Sequence, residues 1–162
     1  MMKHMIQKRL KNLNRENTSF KVREFNPLDL DAILSIEKDS FNKDTFDKEI
    51  FIEFYRTEPY GFLVAEHDDK IIGYIITSVR RDYNIISIAV SPEYRKNGVG
   101  SSILKKGLEI LESEDIKNAR LLVRKSNKVA HKFYEKNDFK KVGTLPCYYG
   151  NEDAVLMINA NQ

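Results

Sequence analysis

The spacing of apolar positions along this 162-residue chain changes several times, and each change marks a predicted element. Phe20, Val22 and Phe25 are interspersed with charged residues, as in a half-buried strand. Pro27 then opens a helix that turns Leu30, Ile33, Leu34 and Phe41 inward. After a polar break at residues 42–44, a second helix carries Phe46, Ile50 and Phe54. Residues 61–66, the turn His67-Asp68-Asp69-Lys70 and residues 71–79 form a predicted β-hairpin, and a second turn over 80–84 leads into a strand over 85–90. That strand is an apolar, β-branched run, and Pro92 stops it because proline cannot extend a central strand. Val99, Ile103, Leu104, Gly107, Leu108 and Leu111 then recur at intervals of 4, 1, 3, 1 and 3, which is one face of a helix. A short strand over 120–124, a helix over 127–136 and closing strands over 139–142 and 154–158 complete the chain. The order βααβββαβαββ predicts a single α+β domain in αβα layers over residues 20–162, with a mixed, mostly antiparallel sheet and about four flanking helices.

Composition narrows the class. With 41% apolar and 31% charged residues, and no run of 18 apolar residues, the chain reads as an ordinary globular domain with no membrane span. The lone Cys147 excludes an internal disulfide and suits a reducing cytoplasm, and no base lies near it in sequence to activate the thiol. No secretory signal is visible. The net charge of +3 is uneven: the first 15 residues hold five bases and no acid, whereas the other 147 hold 22 bases and 24 acids. A near-neutral domain does not indicate a DNA enzyme. The basic segment, residues 1–19, reads as a solvated extension, with an arm toward ribosomal RNA or an anionic surface as the alternative. His4, His67 and His131 are spaced too far apart for a metal set, so no metal is expected.

The chemistry concentrates in Arg95-Lys96-Asn97-Gly98-Val99-Gly100-Ser101, between a buried strand and an amphipathic helix. Backbone N–H groups at a helix start can hold a phosphate or pyrophosphate, glycines let the backbone come close, and Arg95 and Lys96 add positive charge. A P-loop needs Lys and then Ser or Thr after its second glycine, and Ser101-Ser102 stand there instead. A dinucleotide fingerprint needs Gly or Ala where Ile103 stands.

What remains, Arg-x-x-Gly-x-Gly after an Ile-Ala-Val strand and a Pro turn, resembles the pyrophosphate loop of the GNAT superfamily of acetyl-CoA-dependent N-acetyltransferases. A second match, Leu121-Leu122-Val123-Arg124-Lys125-Ser126-Asn127 followed by Ala130, Phe133, Tyr134, Asn137 and Phe139, resembles the RimI-type branch and the catalytic subunits of archaeal and eukaryotic protein N-terminal α-acetyltransferases. The resemblance spans residues 20–158. It implies acetyl-CoA as co-substrate, with protein or peptide N-termini as acceptors and ribosome or auxiliary-subunit contact as a further expectation. Tyr134 would be the general acid, since a departing thiolate needs a proton. Asn127 would hydrogen-bond the pantetheine arm, which the backbone of Ile88, Ala89 and Val90 would also pair with. Ala130, Lys132 and Phe133 would line the same site, and Phe41, Asn42, Tyr148 and Tyr149 would grip the acceptor.

Two positions depart from that pattern. Bacterial relatives read Leu-Glu-Val-Arg, whereas Leu122 here cannot serve as the general base. Asp138 replaces a Gly before Phe139, which is tolerable because Asp accepts left-handed backbone. A water relay through Glu37 or a backbone carbonyl could stand in for the base, although Glu37 taken alone reads as a solvated helix charge. The rival readings are a small-molecule amine acetyltransferase and a non-catalytic acyl-CoA-binding module.

Overall fold

The computed structural model describes residues 19–41 and 44–159. The basic segment, apart from Ser19, and Asn42 therefore lie outside the described residues. Strand β1 (Lys21–Glu24) is followed by a single 3₁₀ turn (Pro27–Asp29) and helix α1 (Leu30–Ser40). The turn is held by a capping box: the Asn26 side chain accepts from Leu28 N, and Asp29 Oδ2 accepts from Asn26 N. Helix α2 (Lys48–Thr57) is capped by Asp47, which accepts from Ile50 N at 3.1 Å. Then come β2 (Phe62–His67), β3 (Lys70–Thr77), β4 (Ile85–Val90), α3 (Val99–Ser113), β5 (Arg120–Arg124), α4 (Lys128–Lys136), β6 (Phe139–Leu145) and β7 (Ala154–Asn159). The element order is the one the apolar pattern predicts. Asp138, at φ +67, adopts the left-handed backbone its residue type tolerates.

The expected single mixed sheet is divided. Strands pair antiparallel in the order β1-β2-β3-β4 and, separately, β5-β7-β6. Between the two, β4 and β5 meet at their starts: Asn84 N donates to Arg120 O at 2.8 Å, and Arg120 N donates to Asn84 Oδ1 at 3.0 Å. A side-chain amide thus takes a bond that a main-chain carbonyl would take in a continued ladder. Beyond this point the two strands belong to separate sheets, and both border one cleft. The junction is fixed from below, since Asn84 Nδ2 donates to Ser78 O at 3.1 Å and the buried Ser78 hydroxyl donates to Glu58 Oε1 at 2.5 Å.

Both faces of the first sheet are covered, which gives the αβα layering. Ile75 packs with Ile103, Leu104 and Leu111 of α3 and with Leu121, Val123 and Met157 of the second sheet. On the opposite face, Tyr74 and Ile76 pack with Ile33 and Ile36 of α1 and with Phe51 and Phe54 of α2. Contact with α3 is close at Gly107, where a Cβ would lie 2.9 Å from both Ile75 Cδ1 and Thr77 Cγ2.

Candidate active site

The cleft between β4 and β5 encloses about 1840 Å³. At one end lies the glycine loop. Lys96 and Gly98 both adopt left-handed backbone (φ +63 and +80), so the chain turns sharply into the start of α3, which borders the cleft. No side chain caps α3, which leaves its first N–H groups for an anion. Gly100 serves a close approach: a Cβ there would sit 3.2 Å from the Phe133 ring of α4. Lys96, Gly98, Gly100 and Ser101 border the cleft, together with Ala130, Lys132, Phe133 and Tyr134 of α4 and Ile88, Ala89 and Val90 of β4. Lys136 of α4, which the sequence did not single out, extends this basic end.

Several of the expected site residues also have partners within the protein, and Arg95 borders the cleft with them. Val99 is buried, so it can offer only its backbone. Asn97 turns its amide back onto Tyr94 O and Arg95 O, which shapes the loop. Arg95 is tied to protein: Nε donates to Val90 O at 2.9 Å, and Nη2 donates to Ser40 Oγ at 3.2 Å. It therefore joins the end of β4 to α1 and occupies the Val90 carbonyl. Asn127 borders the cleft, but its side-chain oxygen caps α4 by accepting from Ala130 N at 3.2 Å, which leaves contact with an extended ligand to its amide nitrogen. The free edge of β4 above Asn84 suits such a ligand, because an unpaired strand edge offers donors and acceptors in a row.

In the middle of the cleft stand Tyr134 and Glu37. The Tyr134 ring packs against Phe133 and Phe139 (centroids 5.3 and 5.5 Å), and its hydroxyl has no hydrogen-bond partner among the described residues. Burial, with a smaller effect from Tyr149, holds its phenol well above the ordinary range, so it carries its proton at neutral pH. Glu37 is no solvated helix charge. It is 2% exposed on the cleft floor, where Oε1 accepts from Phe46 N at 2.8 Å and Oε2 accepts from the Tyr74 hydroxyl. Burial raises its carboxyl above the usual range, and these two donors oppose the rise. Leu122 also borders the cleft, so the wall is apolar at this position.

At the far end, Phe41 joins Phe46, Ile50, Tyr148 and Tyr149. Here the sequence missed a clasp. Arg124 at the end of β5 donates to both carboxylate oxygens of Asp44 (2.5 and 2.7 Å) and to Glu152 Oε2 at 3.1 Å, while its guanidinium lies 4.3 Å from the Tyr149 ring centroid. Glu152 also accepts from Ser126 N at 2.7 Å. The segment before α2 and the β6–β7 loop are thereby fastened together over the cleft, with Tyr148 and Tyr149 edge to face. Burial, reinforced by Tyr148 and Asp44, pushes the Tyr149 phenol up to about 12.

Residues 30–139 match the Acetyltransferase (GNAT) family, and the chain belongs to it. An uncharacterized N-acetyltransferase of Methanocaldococcus jannaschii is 37% identical over 144 residues, covering 85% of this chain and 89% of that protein. An N-alpha-acetyltransferase of Saccharolobus solfataricus is 31% identical, covering 80% and 86%. The crystal structure of Ard1 from Thermoplasma volcanium superposes with a TM-score of 0.79 at 27% identity, covering 86% of this chain and 95% of that one. The protein is thus an acetyl-CoA-dependent N-acetyltransferase. The uncapped start of α3, the glycine approach and the free β4 edge fit the pyrophosphate and pantetheine of that co-substrate.

Proposed function

We propose that this enzyme acetylates the α-amino group of peptide and protein N-termini, by direct attack of the amine on the thioester of acetyl-CoA. The observation that carries the reading is the continuity of the cleft. It runs from the glycine loop, past Tyr134 and Glu37, to an aromatic rim of Phe41, Tyr148 and Tyr149. Such walls suit an extended peptide end, and relatives of similar length are named N-alpha-acetyltransferases.

In this reading Glu37 accepts the proton of the attacking amine through a water, as the N–C bond forms and the C–S bond breaks. Tyr134 supplies the proton that the departing sulfur takes, and regains one from solvent. With Leu122 in place of a carboxylate, the acceptor that needs least help is favoured. An α-amine with pKa about 7.7–8.0 is roughly a quarter neutral near physiological pH, whereas a lysine amine near 10.4 is neutral to about one part in a thousand. The test is mass spectrometry of one peptide bearing both a free N-terminus and an internal lysine. Acetylation should fall on the N-terminus; dominant lysine acetylation, or faster turnover of spermidine than of any peptide, overturns the reading.

A further inference from the structure

We propose that Tyr74 is the positioning residue for Glu37, through a hydrogen-bonded chain Ser87–Tyr74–Glu37 that crosses from β4 through β3 to α1. The inference rests on Glu37 being the proton acceptor. Tyr74 is fully buried in a strand whose other side chains from Ile71 to Ile76 are aliphatic, and a phenol there calls for an explanation. Its ring is wedged edge-on against Phe51, at 5.7 Å between centroids, and tilted against Phe62 at 6.3 Å. The ring therefore has no freedom to swing, and its hydroxyl is delivered to one place.

The proton order along the chain follows from the donors. Glu37 is acceptor-only when ionised, so the single Tyr74 proton points at Oε2. The Ser87 hydroxyl, 2.9 Å away, must then donate to the Tyr74 oxygen. That bond polarises Tyr74 and strengthens its donation. With Phe46 N on the other oxygen, each carboxylate oxygen has one fixed donor and a lone pair left over. Glu37 and Ser87 both border the cleft, whereas Tyr74 does not, so the phenol acts only through its neighbours.

Facing Glu37 are Tyr74 from β3, Ser87 from β4 beyond it, the Phe46 amide ahead of α2, and Tyr134 of α4, which acts electrostatically on Tyr74. Glu37 owes its shift to burial, which its two donors oppose. Removing the Tyr74 hydroxyl disfavours the charged carboxylate further, so the Glu37 titration moves to higher pH and activity at the acid end falls most.

The experiment is the pH profile of kcat and of kcat/KM with one peptide for wild type, Tyr74→Phe, Ser87→Ala and Glu37→Gln. Thermal unfolding verifies that each variant is folded. Titration of the substrate amine is common to all and cancels in the ratio of wild type to variant. For Tyr74→Phe that ratio should grow as the pH falls and approach about tenfold once the pH lies below both titrations, the factor expected for a limb displaced by one unit, with the KM for acetyl-CoA unchanged. Ser87→Ala keeps the phenol and should show a smaller change of the same sign, so it provides the reading if Tyr74→Phe folds poorly. A ratio flat with pH in both variants, with Glu37→Gln impaired, makes Tyr74 a packing residue and overturns the inference alone. Wild-type activity and profile in Glu37→Gln overturns the proton-acceptor reading and this inference with it.

Discussion

Replacing Tyr134 by Phe separates catalysis from stability more cleanly than any other single change at this site. The substitution removes one oxygen and leaves the ring, whose contacts with Phe133 and Phe139 lie at 5.3 and 5.5 Å between centroids. Since no described residue hydrogen-bonds the hydroxyl, none of them loses a partner, and among them the usual penalty for orphaning a buried group, about 1–3 kcal/mol, does not arise. Stability should therefore change by less than about 0.5 kcal/mol, and a domain of this size should keep its Tm within roughly 2 °C. Turnover should not be spared. A positioned general acid is worth about 10²–10⁴-fold, or roughly 2.7–5.5 kcal/mol at the transition state. Because burial holds the Tyr134 phenol protonated, that loss should appear across the neutral range, without a pH threshold below the ordinary phenol value. Thermal unfolding, calorimetric titration with acetyl-CoA and steady-state acetylation of a peptide together read the three quantities. Wild-type turnover in the folded variant refutes the acid role, and a large fall in Tm shows that the hydroxyl has a structural partner.

Gly107→Ala should cost about 1–3 kcal/mol by denaturant unfolding, because its methyl would meet Ile75 and Thr77 at 2.9 Å; an unchanged midpoint would mean that α3 can lift away freely. Gly100→Leu should sharply weaken acetyl-CoA binding in calorimetry by displacing Phe133. Gly98→Ala, with nothing within 4 Å but a φ of +80, should chiefly cost backbone strain of about 1–2 kcal/mol; unchanged affinity in Gly100→Leu would remove the loop from the site. Arg124→Gln should raise the KM for peptide several-fold and leave acetyl-CoA affinity intact, since it unfastens Asp44, Glu152 and Tyr149 at the acceptor end; a selective loss of acetyl-CoA affinity would contradict that placement.

The elements were legible because their signals are local. Val99, Ile103, Leu104, Gly107 and Leu111 all read as one face, and all five are buried. The motif from Arg124 to Phe139 ends in the left-handed Asp138 its sequence suggested. Local signals fail where partners are distant. Glu37 follows Ile33 by four positions and Ile36 by one, so helical spacing already put it on the buried face, but its charge argued for solvent. What reconciles the two is Tyr74, 37 residues away and set in a strand that reads as uniformly apolar. Arg124 and Asp44 are 80 residues apart, and no period connects them. The division of the sheet escaped for the same reason: Asn84 and Arg120 meet through a side-chain amide, which no strand pattern encodes.

That junction also explains why the chemistry can lie where it does. A continued β4–β5 ladder would consume the donors and acceptors of β4 and close the space between the strands. Asn84 ends the pairing at the strand starts, and the buried Ser78–Glu58 pair fixes the point at which it ends. Beyond it, the cleft gains a β4 edge for an extended ligand, Tyr134 from α4 on one wall and Glu37 from α1 on the floor. In the proposed mechanism acid and base thus come from different layers of the fold, each set in its own core: Tyr134 beside Phe139, Glu37 beside Tyr74. A base on β5 would stand beside the acid's own layer. With Leu122 there instead, the proposed paths of the proton leaving the amine and of the proton reaching the sulfur lie on different walls of the cleft, so Glu37→Gln should flatten the acid limb of the pH profile, whereas Tyr134→Phe should lower turnover evenly across the neutral range.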